Sequence, residues 1–454
     1  MSAFASMLAA VHADTNIGTP ADFRRPPGPW VPARVVLSRP TDTIGGLGGI
    51  ATRAGSLAAA LLAGDIAPLV PRRGDELLLD GRVRSIETAE PDPLGLSWRL
   101  VLSDLLSEAA PDPVIGAIRY DAWDVPSSGL TQAEQAALSQ TGFTHRAPFW
   151  AAVAGSSVTL PAATQARMDA EIAHAAAAGL AFWAFLGWDP STPEITALNL
   201  YRSSSRRGDI GFCMIENMQG LYYLGTWLPN VARTIALMAE PGYRKVFGTR
   251  PLLFINSMSD ADIMARFGSM DATATVLDGI REHCVLAGVG DPYIVMMDGW
   301  HTRAAALAGY GADAASSYAA IGQIAAPTPY ISLMAAAEQW RIDAAALGVD
   351  VVPPLTFGWD YRPRIGGPPA WFGAAATGDP NAHWLPPTPD EIARHAADAV
   401  AWLRANEPAA PAQIAIAYAW NEFSEGGWLC PTFLAGEPAG DTARIAALAT
   451  VLKR

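Results

Sequence analysis

Cysteine is almost absent. Three residues, Cys213, Cys284 and Cys430, stand far apart in 454, which excludes a disulfide framework and any metal knuckle built on closely spaced thiols. Charge is scarce too, at 17% of residues, and 31 Lys and Arg against 44 Asp and Glu leave a net charge of −13 and a pI near 5.0. Binding a phosphate backbone normally needs a basic face that displaces counterions, so nucleic acid is not expected as a partner. No stretch approaches the ~18 uninterrupted apolar residues of a membrane helix, and no membrane insertion is expected. The opening MSAFASMLAAVHAD lacks a basic n-region and reaches His12 and Asp14 before a long apolar core can form, so a secretory leader is not expected and synthesis is cytoplasmic. Neither GxxxxGK[ST] nor GxGxxG occurs in a phosphate-binding context, so no nucleotide or other cofactor is expected.

What is abundant is apolar surface: half of the residues are hydrophobic, enough for a large buried α/β body. The length favours two domains. Residues 1–104 have a short helical start, Pro/Gly-rich loops, and then strand-like segments PARVVLSRP, DELLLDGRVRSIE and LSWRLVLSD, with Asp80-Gly81 as a hairpin signal, which predicts a small β-rich domain. Residues 105–113 have the composition of a linker. From residue 114 to 454, eight apolar runs alternate with helical patterns: VIGAIRY (114–120), AFWAFL (181–186), IGFCMI (210–215), PLLFIN (251–256), YIVMMD (293–298), AASSY (314–318), DVVPPLTF (350–357) and IAIAYAW (414–420). Without a dinucleotide fingerprint, that alternation predicts a closed (β/α)8 barrel, with DTARIAALATVLKR as the last helix of the ring.

Such barrels place their active site at the C-terminal ends of the strands. That rule selects Asp121, Trp123, Trp188, Glu216, Asn256, Asp298, Trp300, His301, Tyr318, Trp359, Asp360, Arg362, Trp420, Asn421 and Trp428 as candidate binding residues, and Glu422 and Glu425 as candidate catalytic residues. Thirteen of the fifteen tryptophans lie beyond residue 113, many at strand ends, where an indole beside carboxylates suits a saccharide; the same rings also serve to seal a barrel mouth. Glycoside cleavage needs one group to protonate the leaving oxygen and another to act as base or nucleophile, and AYAWNEFSEGGWLCP supplies two glutamates three residues apart, then glycines that let backbone approach a ligand. Spacing alone leaves an ordinary surface loop open, and does not say which glutamate takes which role. His301 and His145 lack companion ligands at metal spacing, so no metal is expected. The RSSSRR run near Arg206 reads as a solvated loop, or as a contact for an acidic polysaccharide.

Trp420, Asn421, Glu422, Phe423, Ser424, Glu425 and Gly426 resemble the eighth-strand motif Trp-Asn-Glu-Trp-x-Glu-Gly of glycoside hydrolase family 99-like proteins, including those labelled glycosyltransferase WbsX. GADAASSY and PPLTFGWDYRPR are similar to that family's sixth- and seventh-strand segments, the latter to Gly-Trp-Asp-Asn-x-Pro-Arg. Phe423, Tyr361 and Gly427-Trp428 depart from the pattern. The resemblance implies retaining cleavage within an α-mannose-containing glycan, in which Glu422 deprotonates the sugar's 2-hydroxyl to form an epoxide-like intermediate and Glu425 is the acid/base. Trp359, Asp360 and Arg362 would shape the subsites.

The opening MSAFASML, the VVLSRP strand and the RRGDELLLDGRVRSIE to LSWRLVL pattern resemble small head-tail joining or tail-attachment proteins of tailed phages and gene transfer agents. This implies an assembly module on a virion whose strand edges pair with copies of itself or with neighbouring head-tail proteins. The combined expectation is a phage-derived protein whose barrel hydrolyses a surface polysaccharide. Two other function classes fit the same residues: an adsorption protein whose barrel holds glycan without turnover, and a polysaccharide-biosynthesis enzyme.

Overall fold

The structure, a computed structural model, describes residues 18–25, 28–38, 57–79, 82–102, 112–218, 227–365 and 379–453. It forms two compact units, Met1–Pro111 and Asp112–Arg454. The expected helical start, the Asp80-Gly81 pair and residues 105–111 of the expected linker lie outside the described residues.

In the first unit, β1 (Gly18–Arg24), β2 (Val31–Ser38), β3 (Leu57–Leu62), β4 (Glu76–Leu79), β5 (Arg82–Pro91) and β6 (Ser97–Leu102) close an antiparallel barrel in the order β1-β2-β3-β6-β5-β4. Alternation along ELLL turns Leu77 and Leu79 inward, where they meet Phe23, Val35, Leu61, Ile86, Leu100 and Leu102. β3 reads LAAALL, a run of helix formers, yet it is extended because β2 and β6 pair along its two sides, with Ala60 opposite both Val36 and Arg99. Closure corrects one expectation. β1 pairs with β2 and with β4 and every described strand of this unit has two neighbours, so among the described residues no whole strand stands at an edge for another copy to extend.

The second unit is a (β/α)8-like barrel. Its parallel strands are β7 (Val114–Arg119), β8 (Phe182–Leu186), β9 (Gly211–Asn217), β10 (Arg250–Asn256), β11 (Tyr293–Met297), β12 (Ala314–Ser316), β13 (Pro354–Thr356) and β14 (Ile414–Tyr418), one in each of the eight predicted runs. The sheet runs β12-β11-β10-β9-β8-β7-β14-β13. Its two ends meet where Val351, just before β13, bridges Ala315 of β12, and the Val352 N–H donates to the Ala315 carbonyl at 3.0 Å. Strands buried on both faces read as continuous apolar runs, which is why these were legible. Of the surrounding helices, α1 (Gly129–Leu138), α2 (Gln165–Ala178), α3 (Pro389–Ala405) and α4 (Ala443–Leu452) matter below. α3 begins with a Thr388/Glu391 capping box, and α4 packs against α2 and α3, completing the ring. No described helix is long and apolar enough to cross a membrane.

Candidate active site

β14 delivers its last residue, Tyr418, to the barrel mouth, and the chain then forms a hairpin in which Asn421–Glu422 pairs with Gly427–Trp428 around a single turn, Phe423–Glu425. Asn421 staples this hairpin to the first strand: its Oδ1 accepts from the Tyr120 N–H at 2.7 Å and its Nδ2 donates to the Tyr120 carbonyl at 2.5 Å. Gly426 closes the turn at φ 85°, and a Cβ there would lie 2.6 Å from the Asp360 nitrogen. The glycine therefore admits the backbone after β13, whose Asp360 N–H donates to the Glu425 carbonyl at 2.6 Å, where the sequence suggested room for a ligand.

Both glutamates are buried, Glu422 to 3% and Glu425 to 8% exposure, and both turn toward Arg364. Its Nη1 donates to Glu425 Oε1 at 2.5 Å, its Nη2 to Glu134 of α1 at 2.6 Å, and its Nε to Ser424 Oγ at 2.8 Å, while Glu422 Oε2 lies 3.5 Å from Nη2. Two phenols complete the cluster: Tyr318 donates to Glu422 Oε1 at 2.9 Å, and Tyr418 donates to Glu425 Oε2. Burial, then the charges of Glu422 and Glu425, raise both phenol pKa values well above 10, so they remain donors. Burial and then the neighbouring Glu425 charge push Glu422 well above the ordinary carboxylate range, and burial raises Glu134 as well. Burial opposes the Arg364 charge, but Glu134, Glu425 and Glu422 outweigh it and raise its pKa. Glu422 is thus biased toward its neutral form, and beside it both oxygens of Glu425 accept hydrogen bonds.

The candidate binding residues divide. Tyr318 is in the cluster, and Trp359, Asp360 and Arg362 adjoin it: Asp360 accepts from Arg146 and, at 2.8 and 2.7 Å, from Arg362 Nε and Nη2. Trp420 is wholly buried and donates to Glu171 at 3.2 Å, within a buried network of Glu171, Arg119, Asp121, Arg167 and Asp124. Trp123 packs edge-on against Phe423 at 5.1 Å, and Trp428 lies under Arg444 at 3.7 Å. The faces of Asp121, Trp123, Trp420, Asn421 and Trp428 that were expected to meet sugar are taken up by protein, because the strand ends need them to bury charge and close the mouth. On the other half of the mouth, Glu216 accepts from Thr234 at 2.6 Å and Asn256 donates to Asn217 at 3.3 Å. Asp298 pairs with Arg303, and Trp188 is half-buried with its carbonyl accepting from Arg233 at 2.8 Å. His301 opens a helix behind Trp300, which is 62% exposed. None of these hydrogen-bonds or ion-pairs with Glu422 or Glu425.

Sequence reading missed Arg364, Tyr418 and Glu134. Arg364 had a signal, as the closing arginine of PPLTFGWDYRPR, and Arg362 was chosen in its place; Glu134, in an unremarkable TQAEQ helix, had none. Among the described residues, no three His, Cys, Asp or Glu side chains gather to hold a metal.

Among solved structures, the chain is similar to a "Glycoside hydrolase-like protein" at 11% identity and TM-score 0.49, over 77% of this chain and 96% of that one. It is also similar to the GH99 endo-α-mannosidase from Bacteroides thetaiotaomicron: 15% identity and TM-score 0.45 over 76% and 97% of the chains for the complex with bis-tris-propane, and 15% and 0.44 over 75% and 96% for a second structure. No curated protein matches the chain. The family model described as Phage Head-Tail Attachment protein matches residues 1–102, the stretch that contains the whole closed six-stranded barrel.

Proposed function

We propose that this is a component of a phage-derived particle in which an attachment domain carries a glycoside hydrolase barrel, and that Glu422 and Glu425 cleave a bacterial surface polysaccharide with retention. The observation that carries the reading is the convergence of the two glutamates on one buried guanidinium, each also accepting from a phenol, with Glu422 driven toward its neutral form and Glu425 accepting from Arg364 and Tyr418. On these electrostatics Glu422 donates the proton to the departing glycosidic oxygen, and Glu425 serves as the base or nucleophile, the reverse of the roles the family resemblance implies. The match of residues 1–102 to a head-tail attachment family supports a protein partner in the particle.

A second reading has its own support. Both carboxylates are buried and Glu425 is held by an arginine at 2.5 Å, which suits a barrel that binds glycan without turnover. Reducing-end release from host polysaccharides separates the two. Wild type is expected to release ends, and Glu422→Gln and Glu425→Gln each to lose about 10²-fold or more. Equal release by all three proteins would sink the assignment of the two glutamates, and glycan retention without release by wild type would sink the hydrolase reading and establish the second.

A further inference from the structure

The mouth is electrostatically divided. On one side a single guanidinium, Arg364, is shared by Glu134, Glu422 and Glu425. On the other, a single carboxylate, Asp360, is shared by Arg146 and Arg362. A further guanidinium, Arg444, donates to the carbonyls of Phe357 and Trp428 at 3.4 and 2.8 Å, and Asp441 acts on it only through space. In a chain of net charge −13, a rim with more guanidinium than carboxylate is not the average surface.

Arg146 is buried, but Arg362 keeps 34% of its side chain exposed, and its Nη1 has no hydrogen-bond partner among the described residues. Trp359 and Tyr361, the neighbours of Asp360 in sequence, lie nearly parallel at 9° with centroids 6.2 Å apart, both partly exposed. Trp359 is 5.4 Å from Tyr418, the residue that holds Glu425, so this apolar shelf leads to the acid side. The open face of a stacked aromatic pair takes a pyranose face, and a guanidinium fork matches a planar carboxylate better than a point charge does.

Resting on the reading that the barrel acts on a polysaccharide, we propose that this rim is a subsite for a hexuronate, with its ring on Trp359 and Tyr361 and its carboxylate on Arg362. The polysaccharide is then an acidic one. The test uses binding, so that its failure is distinct from a failure of hydrolysis. Sodium glucuronate, methyl glucoside and glucose 6-sulfate are titrated into the full chain by saturation-transfer NMR. Glucuronate is expected to bind about tenfold more tightly than methyl glucoside, the scale of a charge-assisted pair, with an advantage that shrinks on adding salt. Arg362→Gln is expected to erase the preference and Arg362→Lys, which keeps charge without the fork, to restore only part, with each fold checked by thermal unfolding. The subsite is refuted if neither sugar binds, if the two bind alike, or if Arg362→Gln keeps the preference. Equal binding of glucose 6-sulfate overturns the choice of a carboxylate.

Discussion

Replacing Arg364 by methionine, which keeps much of the volume and removes the charge, probes the carboxylate cluster directly. The guanidinium lies 2.5 Å from Glu425, 2.6 Å from Glu134 and 3.5 Å from Glu422, with its side chain 2% exposed. At an effective dielectric of about 20, a unit-charge pair ~4 Å apart contributes ~4 kcal/mol, opposed by several kcal/mol for desolvating each ion. Removing one partner deletes the attraction and leaves the acids' desolvation in place, so the expected loss of stability is about 3–5 kcal/mol. Denaturant unfolding of the full chain at neutral pH, followed by tryptophan fluorescence, measures it, because thirteen of fifteen tryptophans lie beyond residue 113 and report the barrel. Adding Glu134→Gln to Arg364→Met removes one stranded carboxylate and should recover part of the loss, with a coupling energy of about 1 kcal/mol or more. A loss below about 1 kcal/mol for Arg364→Met would refute the reasoning, since it would mean that water already solvates the acids.

Glu422→Gln tests the same cluster through pH. The folded-state pKa of Glu422 is raised above its ordinary 4.5, so its contribution is intact below that pH and is lost as pH rises through the raised value; the glutamine variant should therefore gain on wild type with increasing pH. A stability difference that stays flat from pH 4 upward would contradict this. Gly116→Ala tests the barrel interior: a Cβ on β7 would sit 2.2 Å from Cζ of the buried Phe182 ring, so a loss of about 1–3 kcal/mol is expected in the same unfolding assay. Phe182→Leu in the same chain should return part of it, and an unaffected Gly116→Ala protein would mean that the interior repacks freely.

Local chemistry in the sequence reached a long way. Runs such as IAIAYAW and YIVMMD are apolar on both faces, which only a strand covered on both sides tolerates, so the alternation of eight of them with helical segments reads directly as a barrel. The glutamate pair was legible only as a pair: β14 ends at Tyr418, both acids lie in the hairpin that follows it, and their spacing alone left an ordinary surface loop open. Chain segments whose conformation depends on partners were not. LAAALL is helical by composition and a strand by the neighbours it pairs with, and Glu134 joins the site only because α1 sets it against Arg364, 230 positions away.

Residue type and period thus determined the barrel, its strand ends and the acids carried there, because these follow from covalent order and from burial patterns a few residues long. Tertiary structure alone decided that Trp420 and Asn421 serve the protein's own packing, that one arginine binds three carboxylates, and that Glu422 is pushed toward its neutral form. Those outcomes depend on desolvation and on charges brought together from α1 and from the segments after β13 and β14, and no local window of sequence contains them.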